Sequence, residues 1–318
     1  MYSIGVDLGG TNIAAAIVSK DGKIIKKASV PTLNERNDEA IVKDMALLCL
    51  KIVEEANISK DEIHSIGIGS PGIVDSLKGE IVYANNLNFK NSPIAKIFQK
   101  YFDKPVYLEN DANAAAYGEY ISGAGSVYKD LVAITLGTGV GGGIILDGKI
   151  IAGSYNAGAE LGHIVISIDG ELCTCGRHGC WETYSSATGL IREAKKAAKN
   201  NPQSLLNKLV GNDLVTMNAK IPFDAAQAGD IVAQEVIDQY IKYLAVGLVN
   251  VINMIQPEII VLGGGVSAQR DNLLKPLKER IVSEIYGGAE ALKTEIKVAE
   301  LGNDAGIIGA SMLYKLHV

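Results

Sequence analysis

Aromatic side chains are scarce in this 318-residue sequence: they make up 6%, with one tryptophan and four phenylalanines. Its 47% hydrophobic content is therefore carried mostly by Ile, Val, Leu and Ala, which suits buried sheets covered by helices better than a β-sandwich. Long apolar runs are missing too. No stretch approaches the roughly 20 residues a membrane span needs, and the opening Met1-Tyr2-Ser3-Ile4-Gly5-Val6-Asp7 has no charged leader before an apolar core. The expected compartment is the cytoplasm, with no membrane partner. Positive charge is in deficit: 30 Lys and Arg against 36 Asp and Glu leave a net −6 without any long basic run. That balance argues against nucleic acid and acidic membranes as partners. The G-x-x-x-x-G-K-[ST] pattern of a P-loop does not occur, which removes that class of nucleotide sites.

What is present is glycine, 35 residues of it, set between short apolar runs. Residues 2–8, 13–19 and 23–30 read as strands, with Asp21-Gly22 a hairpin turn between the last two. Apolar residues at helical spacing mark 38–56 as a helix. Short strands at 63–69 and 106–109 follow, then an alanine-rich helix at 112–120. The plan then restarts with strands at 131–136 and 144–146, helices near 185–199 and 230–254, and a strand at 258–262. A helix near 270–287, a strand at 295–299 and a helix from Asp304 complete it. Val6-Asp7-Leu8-Gly9-Gly10-Thr11 and Ile134-Thr135-Leu136-Gly137-Thr138-Gly139 both end a strand in Leu-Gly and a Gly/Thr turn. In each, a second strand then runs to Asp-Gly-Lys-Ile. We read two halves on one plan: a small α/β lobe at 1–119 and a large lobe at 120–303, with a C-terminal helix at about 304–318 that can pack on the first.

G-x-G-x-x-G occurs at Gly67 to Gly72 and at Gly137 to Gly142, but neither is a dinucleotide fingerprint. Pro71 interrupts the first, and the second runs into Ile144-Ile145-Leu146 instead of a helix. Gly9-Gly10-Thr11-Asn12 and Gly137-Thr138-Gly139 each lie at a strand–strand turn. Glycine lets backbone N–H groups approach phosphate oxygens, threonine adds a donor, and Asp7 can orient Mg²⁺ through water. Each turn alone is equally an ordinary hairpin; together, at matching places, they favour a phosphate clamp. Gly263, Gly264 and Gly265 follow an apolar strand and are either a turn or a surface for a flat nucleoside.

Cys173, Cys175 and Cys180 crowd together with His163 ten residues upstream, while Cys49 sits apart in an apolar helix. Three thiolates and an imidazole make a closed tetrahedral zinc site that shapes a loop and performs no chemistry. The alternative is three reduced cysteines beside an unrelated histidine. Glu109-Asn110-Asp111 joins a strand to a helix, so Asp111 is either a helix N-cap or a base that takes the proton of an attacking hydroxyl. Glu160 and Glu182 flank the cysteine loop, where carboxylates can hold vicinal hydroxyls.

Together these motifs resemble the ROK family of sugar kinases and sugar-responsive repressors. The likeness runs through Asp7-Leu8-Gly9-Gly10-Thr11-Asn12, Gly69-Ser70-Pro71-Gly72, Glu109-Asn110-Asp111-Ala112-Asn113-Ala114 and Ala157-Gly158-Ala159-Glu160-Leu161-Gly162-His163. Its most specific part is Cys173-Thr174-Cys175-Gly176-Arg177-His178-Gly179-Cys180-Trp181-Glu182. The resemblance implies a two-lobed actin-like ATPase (ribonuclease H-like) fold with the active site in the interlobe cleft. It implies Asp111 as base, and Gly72, Asn110, Glu160, His163 and Glu182 around a hexose. Asp7, Gly9, Gly10, Thr11, Asn12, Gly137, Thr138, Gly139 and Gly263 to Gly265 would serve Mg-ATP, and His163, Cys173, Cys175 and Cys180 a structural zinc. His163 would bind metal with one ring nitrogen and face the sugar with the other. The segment Tyr83-Ala84-Asn85-Asn86-Leu87 would also reach the sugar.

The expected activity is ATP-dependent phosphorylation of a hexose 6-hydroxyl, with glucose favoured. An N-acetylmannosamine kinase is the alternative, disfavoured because Ile73 stands where some such kinases carry arginine. A repressor is disfavoured because only six residues precede Asp7, too few for a helix-turn-helix domain. A dimer or tetramer of identical chains is expected.

Overall fold

The computed structural model describes residues 1–317. Along the chain run β1 (Tyr2–Leu8), β2 (Asn12–Ser19), β3 (Ile24–Pro31), α1 (Asp38–Glu55), β4 (Ile63–Ser70), β5 (Ile73–Asp75), β6 (Glu80–Ala84) and β7 (Phe89–Ser92). Then come α2 (Ile94–Phe98), β8 (Val106–Asn110), α3 (Asp111–Ser122), β9 (Leu131–Leu136), β10 (Val140–Leu146), β11 (Lys149–Ile150), α4 (Trp181–Ser185) and α5 (Ala187–Asn200). The remainder is α6 (Leu205–Leu209), α7 (Lys220–Gln227), α8 (Ile231–Ile255), β12 (Ile259–Gly263), α9 (Asp271–Glu284), α10 (Gly288–Ala291), β13 (Glu295–Val298) and α11 (Ala305–Met312).

Two five-stranded sheets have the orders β3-β2-β1-β4-β8 and β11-β10-β9-β12-β13. Renumbered within its own sheet, each reads third, second, first, fourth, fifth, so the internal repeat read from the two Leu-Gly turns is a repeat of topology. This duplicated order is the architecture that the family resemblance implies. In the first sheet β1 and β2 are antiparallel, with Asp7 opposite Ala14, while β1–β4 and β4–β8 are parallel. β1 is buried almost throughout, as expected of a strand covered on both faces. Ile41, Met45, Cys49 and Ile52 of α1 join Ile4, Val6, Leu8 and Ile13 in one core cluster. Each such side chain contributes about 1.5–3 kcal/mol by leaving water.

Small residues let α3 and α11 come close to that sheet and to each other. A Cβ on Gly5 would lie 1.9 Å from the Ile307 carbonyl oxygen, and one on Gly67 1.7 Å from that of Ala310. Between the helices, a Cβ on Gly309 would lie 1.7 Å from the Ala114 carbonyl oxygen. α3 thereby presents its N-terminus, and with it Asp111, from a rigid base.

The packing divides the chain into two compact units. Unit 1 comprises Met1–Ala133, Gly143–Ala159 and the described chain from Glu300 onward; unit 2 comprises Ile134–Gly142 and Glu160–Ala299. Residues 120–133 and 143–159 thus pack with unit 1, where a cut at 119/120 had assigned them to the larger lobe. The physical reason is visible at α3: the Glu119 carbonyl accepts the N–H groups of Gly123 (3.1 Å) and Gly125 (3.0 Å), and a Cβ on Gly143 would lie 3.0 Å from the Ala112 carbonyl oxygen. Other differences from the sequence reading are local. β10 begins at Val140, four residues early, because Gly141 to Gly143 are strand residues; a Cβ on Gly143 would meet Ala116 at 2.5 Å. The β5–β6–β7 sheet and the helices α6 and α7 were not anticipated. Among the described residues no helix is long and apolar enough to cross a membrane.

Candidate active site and metal centre

In unit 1 the Gly9–Thr11 turn follows directly from β1. The Gly9 N–H donates to the Asn12 carbonyl (3.0 Å) and closes the turn. Thr32, fully buried after β3, braces it from behind: its hydroxyl donates to the Gly9 carbonyl (2.7 Å) and its N–H to that of Thr11 (2.8 Å). Thr11 and Asn12 remain exposed. Gly10 has its nearest outside neighbour in Asn86, whose Cβ would stand 3.3 Å from a Cβ there. Of the segment 83–87, Asn86 is therefore the residue beside the turn.

The β8–α3 junction carries the remaining polar groups of this unit. Asn110, not Asp111, is the N-cap of α3: its Oδ1 accepts from the N–H groups of Ala112 (2.9 Å) and Asn113 (3.2 Å). Its Nδ2 donates to the Gly72 carbonyl (3.1 Å). Gly72 has φ +90°, and a Cβ on it would lie 2.1 Å from the Tyr83 carbonyl oxygen, so glycine is required there. Glu109, buried, accepts from the Asn110 N–H (2.8 Å) and from Asn113 Nδ2 (3.0 Å), which fixes the junction from below. Asp111 is the first helical residue, and one of its oxygens accepts the Ala112 N–H (2.8 Å). With the cap supplied by its neighbour, the Asp111 carboxylate has an oxygen left for chemistry.

Burial holds the Asp111 carboxyl above the ordinary range, and bonds from backbone N–H groups oppose that rise only in part. Asp7 is pushed up to about 6, first by burial and then by the Asp111 charge, with Lys27 pulling it down. Lys27 itself pairs with Asp304 just before α11. Two largely buried carboxylates, one of which raises the proton affinity of the other, are a donor set that a hard divalent cation would relieve. Mg²⁺ chemistry therefore fits the residues present.

A raised carboxylate also costs stability. The stabilising share of Asp7 is complete below its ordinary value of 3.8 and is lost as pH rises through about 6. Asp7→Asn should therefore melt higher than wild type at pH 7 without nucleotide or metal, by about 1–3 kcal/mol, with the gap opening between about pH 4 and 6. Thermal melts across that range test this; parallel curves for the two proteins would show that the Asp7 charge is not strained.

In unit 2 the Gly137–Gly139 turn joins β9 to β10, and the Gly137 N–H donates to the Gly139 carbonyl (3.0 Å). Glu182, on the first turn of α4, accepts the Val140 N–H through Oε2 (3.0 Å). A Cβ on Gly139 would lie 2.3 Å from that oxygen. Nothing lies within 4 Å of the Cβ positions of Gly137 or Gly265, so both leave open space. Gly264, at φ +82°, packs on the Leu136 backbone, which sets the 263–265 loop beside the end of β9. Glu160 is exposed and starts the short helical turn Leu161–His163.

His163, Cys173, Cys175 and Cys180 converge, with their ligand atoms all within 4.8 Å of one another. His163 Nδ1 stands 3.6 Å from Cys173 Sγ, and Cys175 Sγ 3.6 Å from Cys180 Sγ. Tetrahedral zinc with bonds of about 2.3 Å to sulfur and about 2.0 Å to nitrogen sets its ligands about 3.5–3.8 Å apart. The cluster fits that ion. Nδ1 is the ring nitrogen turned into it, leaving Nε2 outside the ligand set. Burial and the neighbouring thiols push Cys180 up to about 12, whereas the Arg177 N–H lowers Cys175. Gly179, at φ +75°, makes the close approach possible: a Cβ there would lie 1.5 Å from the Ser167 carbonyl oxygen.

A cavity of about 430 Å³ lies between α5 and α8, lined in part by Tyr184, Leu190, Tyr240 and Tyr243. It includes none of the residues singled out from the sequence. Sequence reasoning in turn missed Thr32 and the bracing role of Glu109. A buried threonine after a strand carries no sequence signal, but Glu109 adjoins the Asn-Asp pair and was within reach.

The chain is similar to known proteins along nearly its whole length. A glucokinase from Thermotoga maritima is 38% identical over 313 residues, covering 98% of this chain and 96% of that protein. A xylose repressor from Caldicellulosiruptor bescii is 30% identical over 306 residues, covering 96% of this chain and 76% of the repressor. The crystal structure of a ROK family glucokinase from Streptomyces griseus in complex with glucose and AMPPNP matches with a TM-score of 0.80 at 35% identity, over 98% of this chain and 99% of that one. The fold is that of the actin-like ATPases. The ROK family model matches residues 3–317, and on that span the chain belongs to the ROK family.

Proposed function

We propose that this chain transfers the γ-phosphoryl group of ATP to the 6-hydroxyl of glucose, giving glucose 6-phosphate and ADP. The observation that carries the reading is Asp111, a carboxylate relieved of capping by Asn110 and held at a raised pKa by burial. A base with those properties can take the hydroxyl proton as the O–P bond forms. Similarity to glucokinases along nearly the whole chain supports the same reaction.

In this mechanism the second hydrogen of Asn110 Nδ2 and the Gly72 backbone hold the sugar from unit 1. Glu160, His163 Nε2 and Glu182 Oε1 take the remaining hydroxyls. The N–H groups of Gly9 to Asn12 and Gly137 to Gly139 receive phosphate oxygens, with the hydroxyls of Thr11 and Thr138 as further donors. The glycines at 263–265 border the nucleoside. Mg²⁺, oriented through Asp7, would supply charge neutralisation on the phosphates. Zinc, with four protein ligands and no open position, would hold the loop between His163 and Cys180. Four unpaired cysteines are in keeping with a cytoplasmic setting.

An ADP-release assay over glucose, mannose, fructose and N-acetylmannosamine tests the assignment. Glucose should give the highest kcat/KM. A tenfold advantage for N-acetylmannosamine, about 1.4 kcal/mol in transition-state binding, would overturn the choice of sugar. Absence of turnover with every sugar, with sugar binding retained, would point instead to a repressor-like sensor.

A further inference from the structure

We propose that the segment from Cys180 to Thr188 is a strut that fixes the second phosphate turn, so that the metal cluster sets nucleotide affinity as well as sugar affinity, with Thr188 as a positioning residue. This rests on the kinase reading above and extends it to a coupling within unit 2.

A turn that aims its N–H groups at phosphate must satisfy its carbonyl groups elsewhere. Here the strut supplies the partners. The Ala187 N–H donates to the Gly137 carbonyl (2.8 Å), and the Thr188 hydroxyl donates to the Thr138 carbonyl (2.8 Å). Glu182 accepts the Val140 N–H at the far side of the turn (3.0 Å). Three residues of one short segment thus hold Gly137, Thr138 and Val140 on the two sides of Gly139, and that glycine leaves the room Glu182 occupies.

The strut is stiff at its middle. Trp181 is fully buried, its indole N–H donates to the Tyr243 carbonyl (3.0 Å), and Gly247 of α8 leaves no space behind the ring. Ser186 caps α5 by accepting the Gly189 N–H (3.1 Å). At its start stands Cys180, a member of the metal cluster. The opposite side of the cluster reaches the same turn independently. Gly162, next to His163, packs so tightly on Val140 that a Cβ would lie 2.2 Å from the Val140 carbonyl oxygen. Cluster residues on both sides therefore abut Val140, one through Glu182 and one through Gly162. A shift of either ligand on metal loss moves the turn that receives phosphate.

The test uses the full chain and two probes, AMPPNP and glucose, each measured by calorimetry. Thr188→Val in the metal-loaded protein should weaken AMPPNP at least threefold and leave glucose within twofold. Thr188→Ser, which keeps the hydroxyl, should restore wild-type affinity. Removing the metal with a chelator should weaken AMPPNP at least fivefold as well as glucose. Wild-type AMPPNP affinity in the metal-free protein, or in Thr188→Val, overturns the strut, and if the metal-free chain does not stay folded the Thr188 pair decides. Failure of wild type itself to bind AMPPNP would instead overturn the kinase reading.

Discussion

Asp111→Asn should lower kcat by at least about 100-fold while sugar affinity and melting temperature stay near wild type. The substitution is nearly isosteric, and the oxygen that accepts the Ala112 N–H can be supplied by the amide. The N-cap is untouched because it belongs to Asn110. Loss of a negative charge from the first turn of α3 costs a few tenths of a kcal/mol, and removal of a partly buried carboxylate offsets it. What disappears is the capacity to take a proton. The same reasoning fixes the pH dependence: the base works only when ionised, and its pKa is raised by burial. Wild-type kcat/KM should therefore fall on the acid side, and the residual activity of the variant should lose that limb. Melts, glucose calorimetry and turnover on one preparation suffice. A variant that folds, binds glucose and turns over near the wild-type rate would remove Asp111 from the chemistry.

Much of this site was legible because its chemistry needs unusual residues at fixed spacings. Glycine pairs at strand ends, a Glu-Asn-Asp junction and three cysteines within eight positions are rare by chance, and the structure gathers the cysteines and His163 into one cluster. The sheets were legible for a different reason: β1, β4, β9 and β12 are buried on both faces and read as short apolar runs. Where reading failed, tertiary contacts had overridden local signals. Gly141 to Gly143 read as turn because glycine is weak in strands, yet the approach of α3 to Gly143 demands it. Asp111 and Asn110 are equally good caps in sequence terms; in the structure Asn110 takes the Ala112 and Asn113 N–H groups, and its bond to Gly72, thirty-eight positions away, holds it in the capping place. Thr32 and Thr188 act on carbonyl groups distant in sequence, and no periodicity records such bonds.

Cys180→Ala should take the protein from about one equivalent of zinc to almost none and lower kcat/KM for glucose at least about 100-fold, the largest loss after that of the base. The loop from His163 to Cys180 has little core of its own: Ile168 and Leu172 are 85% and 64% exposed. Its order rests on backbone bonds such as Cys173 N–H to the Arg177 carbonyl and Trp181 N–H to the Ile164 carbonyl, both 2.8 Å, and on the four-ligand cluster. A structural zinc contributes folding free energy directly, so here its loss should be local. The apolar face of α8 keeps unit 2 folded, while the loop opens and carries Glu160, His163 and Glu182 out of register. Far-UV dichroism should change little, and limited proteolysis should gain a site within 163–180. Cys49→Ala is the control, since Cys49 is buried in α1 among Ile4, Met45 and Ile52, and that variant should keep its zinc. A Cys180→Ala protein that retains a full equivalent of metal would mean that the four residues are not its ligands. One that loses the metal yet keeps wild-type glucose turnover would mean that the loop needs no ion to present the sugar-binding carboxylates.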